Sequence, residues 1–198
     1  MVNSGTFDNT RTDTRESILS VAQTLAQRRG FNGFSYADIA GTVGIRKASI
    51  HYYFPSKDDL ELALLTRYNQ HFAASLASID SLHVSYVDRF RAYGNLYRST
   101  LEAGGICLCG MMASDILTLP DSLRAPLSVF FTEHTLWLSS LLESGRRSGE
   151  FIFGGTSIQR AQTTFASLQG GLVLAHAMRD VELFDNLVND LLSGVGIR

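Results

Sequence analysis

The segment FNGFSYADIAGTVGIRKASIHYYFPSKDD, residues 31–59, constrains the fold of this chain more than any other. It reads as two short helices joined by a tight glycine turn. Ser35 is suited to cap the first helix, because a side-chain oxygen there accepts from an unpaired N–H of the first turn. Ile39, Ala40 and Val43 then follow on one helical face. Gly44 stands where the chain turns sharply and where a positive φ costs glycine little. The small Ala40 lets the two helices approach, and Ile45 and Ile50 hold the second onto the first. That leaves Arg46, Lys47, Ser49, His51 and Tyr52 outside. A helix with basic, hydroxyl and aromatic groups on its outer face, braced at a steep angle by another, suits the major groove of DNA.

Charge supports the same expectation. Between Arg28 and Lys57, five cations (Arg28, Arg29, Arg46, Lys47, Lys57) stand against one anion, Asp38, a net of +4 in a chain whose formal net charge is −2. Local positive charge on a mildly acidic protein points to a polyanion-binding face and away from general stickiness. Residues 61–198 carry ten cations and thirteen anions, so that part has no charge reason to approach DNA.

Residues 14–65 resemble the DNA-binding domain of the tetracycline-repressor (TetR/AcrR) family of bacterial regulators. The resemblance rests on Arg29-Gly30-Phe31 after the first helix, on Asp38-Ile39-Ala40, on Gly44-Ile45 at the turn and on Phe54-Pro55-Ser56-Lys57. Arg46 and His51 depart from the residues common there, and both lie on the reading helix. The resemblance implies an all-α protein: a three-helix DNA-binding domain with a helix-turn-helix, then a C-terminal helical ligand-binding and dimerisation domain. It further implies a homodimeric, ligand-responsive regulator that binds a double-stranded, palindromic operator and a small-molecule effector, and that represses until the effector binds. Ser35, Tyr53 and Lys57 are expected at phosphates; Arg46, Lys47, Ser49, His51 and Tyr52 are expected at base edges, with Arg46 suited to guanine.

The expected division is a flexible polar arm over 1–12, the helix-turn-helix domain over 13–56 and the effector domain over 57–198. With 45% hydrophobic and 18% charged residues the chain can bury a sizeable core. Only three prolines occur, which favours long helices, about nine in all. No run of eighteen apolar residues and no apolar signal core appear, so the expectation is a cytoplasmic protein without a membrane partner.

The first helix is expected from about Asp13 to Arg29, with a buried stripe of Ile18, Val21, Ala22 and Leu25. A fourth runs from Lys57 to about Ile79, linking the two parts. From His83 to Glu102, Tyr86, Phe90, Tyr93 and Tyr97 recur at helical spacing, as plain core or as one wall of an aromatic pocket. A short helix follows from Ile106 to Leu117, then a long one from Asp121 to Arg147. The last two are expected over Ser157–Met178 and Val181–Leu192. Their apolar residues Phe165, Leu168 and Leu172, with Leu183, Leu187, Val188 and Leu191, are expected to form a dimer interface, where Gly170 and Gly171 allow close approach at about 1 kcal/mol each.

Cys107 and Cys109 have two readings. As free cysteines they suit small buried positions. Cys107 also looks like the position of a Gly-x-Cys-Leu element in some family members that sense quinones, aldehydes or oxidants. The candidate effector site gathers Phe90, Tyr93, Tyr97, Cys107, Cys109, Met112, His134 and Trp137. Two sulfurs without a His pair do not make a metal site, and no cofactor is expected. The chain lacks a phosphate loop, a His-Glu-x-x-His and a Gly-x-Ser-x-Gly, so it is read as no enzyme. The alternative function is a thiol-based redox or electrophile sensor, or a redox-active protein, acting through Cys107.

Overall fold

The computed structural model describes residues 5–115 and 120–196, and for 5–12 the backbone path alone. Among these are nine α-helices and one 3-10 turn: α1 Gly5–Arg29, the 3-10 turn Phe31–Gly33, α2 Tyr36–Val43, α3 Lys47–Tyr53, α4 Lys57–Leu82, α5 Tyr86–Glu102, α6 Leu108–Ser114, α7 Asp121–Ser148, α8 Ser157–Met178 and α9 Val181–Ser193. The expected arm is corrected: α1 begins at Gly5, because no proline or glycine interrupts the chain from there to Arg29. Residues 1–4, and Leu117 at the end of the expected sixth helix, lie outside the described residues.

Caps set the helix starts. At α4 the Asp59 carboxylate accepts from the Ser56 N–H and hydroxyl, at 2.9 and 2.6 Å. At α8 Thr156 and Gln159 do the same, so α8 spans the expected residues. At α5 the cap is Ser85, not the region of His83, and Glu150 from the loop after α7 accepts from its hydroxyl.

Ile18, Leu19, Ala22 and Ala26 of α1, Ile39 and Ala40 of α2, Ile50 of α3, and Leu60 and Leu64 of α4 are buried in the first core. Val21 and Leu25 are half-buried at its edge. In the second unit α5 packs on α4, α7, α8 and α9.

Two junctions join the units. One is α4 itself, roughly 39 Å long at 1.5 Å per residue. The other is a clasp. Arg28 Nε and Nη2, at the end of α1, donate to the Ala103 carbonyl at 3.1 and 2.6 Å, and the Ile106 N–H donates to the Gln27 carbonyl at 3.0 Å.

The expected interface is corrected in part. Phe165, Leu168 and Leu172 are buried inside the subunit, because α8 turns that face onto its own neighbours. Leu183, Val188 and Leu191 are half-buried against the same core, and Leu187 is half-buried beside Gly171. Gly171 lets α9 lie close, since a Cβ on it would push the end of the Leu187 side chain aside. Gly170 faces outward, with nothing within 4 Å of a Cβ. The outer face of α8 instead exposes Val173, Leu174 and Met178.

Candidate functional site

The reading head is built from α2 and α3. The Asp38 carboxylate accepts from the Ser35 N–H at 2.8 Å and from its hydroxyl at 2.7 Å, and these bonds hold its pKa below the usual value. Gly44 adopts φ 78 and ψ 30, and its N–H donates to the Ala40 carbonyl at 2.9 Å. This left-handed turn swings α3 across α2. The Tyr36 hydroxyl donates to the Phe54 carbonyl at 3.0 Å and reaches the Ser56 carbonyl, clamping the end of α3. Burial pushes its pKa up to about 12, so it stays a donor.

On this frame Arg46 is the N-cap residue of α3 and Lys47 its first residue, and both side chains are exposed. Ser49 is half-buried; His51 and Tyr52 are exposed. The His51 ring packs on Tyr36 at 4.8 Å, with Nδ1 3.4 Å from the Pro55 carbonyl. Tyr53 meets Tyr52 edge-on at 5.3 Å. Lys57 is turned inward: its ammonium donates to the Phe31 carbonyl and lies 5.5 Å above the Phe34 ring. Its expected availability for a phosphate is therefore reduced, since the ammonium is already shared.

The expected effector residues fall into two groups. Tyr93, Tyr97 and His134 form a chain: the two phenols are 3.0 Å apart, and Tyr93 Oη is 3.3 Å from His134 Nδ1. Burial drives both tyrosine pKa values up and lowers that of His134 to about 4, so all three are neutral. Trp137 packs on Tyr93 at 5.1 Å and donates from Nε1 to Asp80 at 2.9 Å. Cys107, Cys109 and Met112 are buried beside α4 on the short α6 and the turn before it. The Cys109 thiol, 3.9 Å from Asn69 Oδ1, has its pKa raised by burial. Phe90 is a correction: it sits against Phe151 at 6.5 Å, on the side of α5 sealed by the loop after α7.

Residues that sequence reasoning missed complete the cluster. The Tyr68 hydroxyl donates to Cys107 Sγ at 3.6 Å. Phe72 meets Tyr97 at 5.8 Å and His134 at 4.4 Å, and Phe130 covers His134 at 4.0 Å. Phe165, expected at the interface, stacks on His134 at 5.6 Å. The four-residue spacing from Tyr68 to Phe72 and from Phe130 to His134 was the available signal. These rings pack on one another between α4, α5, α7 and α8.

This geometry defines a helix-turn-helix DNA-binding protein with an effector domain mounted behind it. Residues 18–64 match the family model for bacterial regulatory proteins of the tetR family. The chain is 30% identical over 188 residues to the HTH-type transcriptional repressor NemR of Escherichia coli K12, across 90% of this chain and 92% of that protein. A TetR-family transcriptional regulator from Agrobacterium tumefaciens superposes with a TM-score of 0.89 and 32% identity, covering 93% of this chain and 98% of that one. The reduced form of E. coli NemR superposes with a TM-score of 0.81 and 26% identity over the superposition, covering 94% and 98%. The chain belongs to the TetR family: it is a ligand-responsive, DNA-binding transcriptional regulator.

Proposed function

We propose that this regulator is a repressor that grips a palindromic operator as a homodimer and releases it when a small apolar or electrophilic effector enters the cluster around Cys107. It acts in the cytoplasm and performs no catalysis on this reading. The observation that carries the DNA half is the exposed cation pair Arg46 and Lys47 at the start of α3, held outward by the Gly44 turn. Arg46 suits a guanine edge, Lys47 a base or phosphate, and Ser49, His51 and Tyr52 the remaining edges. Ser35 and Tyr53 border the same face.

The effector half is supported by the contact between Tyr68 and Cys107. Tyr68 lies on α4, whose first residue is Lys57 at the reading head. An electrophile such as a quinone forms a carbon–sulfur bond to Cys107 while the thiol proton passes to the quinone oxygen. The added group displaces Tyr68 and with it α4. A non-covalent apolar effector acts by the same displacement. Either works only by favouring one orientation of the heads over the other.

The dimer is supported by the outer face of α8. Ala166, Gly170 and Ala177 are exposed beside Val173, Leu174 and Met178, while the outward residues Glu182, Asn186, Asn189 and Asp190 of α9 are polar. Gly170 costs α8 about 1 kcal/mol relative to alanine with no neighbour inside the subunit to require it. The close approach of a second α8 across a two-fold axis gives it a reason. Leu174→Glu should then yield a monomer in sedimentation; a variant that stays dimeric sinks this interface.

Fluorescence anisotropy on duplexes chosen by random-duplex selection tests the whole reading. Tight, salt-sensitive binding is expected from the reduced protein, abolished by p-benzoquinone and protected by Cys107→Ser. Failure to select any duplex would overturn the DNA reading. Indifference of the wild-type protein to the quinone would remove the thiol and leave the non-covalent effector.

A further inference from the structure

A groove of about 360 Å³ lies where α1, α4 and α5 meet, on the outer side of Tyr68 and Phe72 of the aromatic cluster. Its walls come from both units: Gln23, Gln27 and Arg28 from the DNA-binding part, Ser99 and Thr100 from α5. Tyr68 and Phe72 of α4 also line it, giving it an aromatic surface. Among its lining residues Arg28 and His71 are the basic ones, and none is an aspartate or glutamate. A groove with ring faces, a guanidinium and no carboxylate favours a planar anion.

Two details narrow the ligand. The Arg28 guanidinium is held by bonds from Nε and Nη2 to the Ala103 carbonyl, which leaves Nη1 and the second Nη2 hydrogen as its donors at the groove wall. Gln23 gives its Nε2 to Gln27 at 3.3 Å, which leaves its Oε1 shielded from solvent without a partner. The wall thus offers a cationic donor at one end and an unmet acceptor at the other.

We infer that the groove between α1, α4 and α5 is a second effector site, for a hydroxylated aromatic carboxylate. The carboxylate accepts from Arg28, the ring lies against Tyr68 and Phe72, and the hydroxyl donates to Gln23. The ligand touches both units at once, so it stiffens their junction without entering the cluster around Cys107. The site adjoins the thiol through Tyr68, whose hydroxyl meets Cys107, but the inference needs neither a reaction at that thiol nor an operator.

Isothermal titration of 4-hydroxybenzoate into the full chain tests it. One molecule per chain is expected, with a Kd in or below roughly the millimolar range for so small a ligand. Arg28→Glu should raise Kd about tenfold or more. Thr24→Trp and Ser99→Trp, which fill the mouth from exposed positions, should do the same without touching the clasp. Benzoate, lacking the hydroxyl, should bind more weakly. Tyr93→Phe, inside the aromatic cluster, should leave Kd unchanged. Hydrogen exchange should slow on 4-hydroxybenzoate both at residues 23–28 and at 99–106. No saturable heat from the wild-type chain, or binding lost in Tyr93→Phe and kept in both tryptophan variants, overturns the site. Protection on one side alone overturns the bridging.

Discussion

The reading head and the effector cluster solve opposite problems. The head keeps its functional groups outside and spends its structure on local bonds: a capping box four residues long, a glycine turn and a tyrosine clamp onto the next loop. The cluster keeps its groups inside and gathers them from helices far apart in sequence, Tyr68 from α4, Tyr93 from α5, His134 from α7 and Phe165 from α8. The head is therefore governed by backbone conformation and charge, the cluster by packing and desolvation. Damage to the first should be local and electrostatic, and damage to the second global and felt as lost stability.

The largest effect should come from emptying the cluster. Phe130→Ala removes the ring over His134 and should cost about 3–5 kcal/mol in urea unfolding. A loss under 1 kcal/mol would mean that the cluster is loosely packed, and the contrast with the head would fail.

Next is acid. His134 has its pKa lowered from 6.5 to about 4 by burial. Between those values the unfolded chain binds the proton and the folded chain does not, so stability falls as pH drops through this window. The loss is zero above pH 6.5, grows as pH falls, and reaches about 3 kcal/mol near pH 4. Unfolding at pH 7 and pH 5 should show a smaller pH difference for His134→Gln than for the wild-type chain. An equal difference would assign the acid sensitivity elsewhere.

Smaller still is Gly44→Ala. The added methyl meets nothing within 4 Å, so the cost is the left-handed backbone alone, about 1–2 kcal/mol. Operator affinity should fall with it, as α3 loses its angle. The smallest change in stability should be that of Lys47→Ala, within about 0.5 kcal/mol, while the salt slope of DNA binding falls by about one. A slope left intact with altered base preference would move Lys47 from phosphate to base contact.

The same contrast explains what could be read from the chain. The head was legible because its signals are short: Ser35 as a cap, and Ala40 to Gly44 to Ile50. The bounds of α8 were legible too: it spans the expected Ser157–Met178. The effector cluster was legible by halves. Spacing on α5 identified Tyr93 and Tyr97, but periodicity names a face and not its partner, so Tyr68, Phe72 and Phe130 were missed and Phe90 was drawn in. Phe165, Leu168 and Leu172 were assigned outward because α8 is apolar on two faces, and a helix apolar nearly all round does not declare which side meets its own core. Lys57 shows the converse at the head: a cation in the right place whose ammonium is already engaged by a backbone carbonyl and a ring.

The clasp between Arg28, Gln27 and the Ala103–Ile106 turn has a mechanical consequence. A head carried by α4 alone would swing and also roll about the axis of that rod. A second attachment beside the first turns the mount into a hinge with a strut: rolling is resisted, and swinging remains. On the function proposed above, a shift of α6 would reach the head by pushing the strut, and α4 could stay straight as it did so.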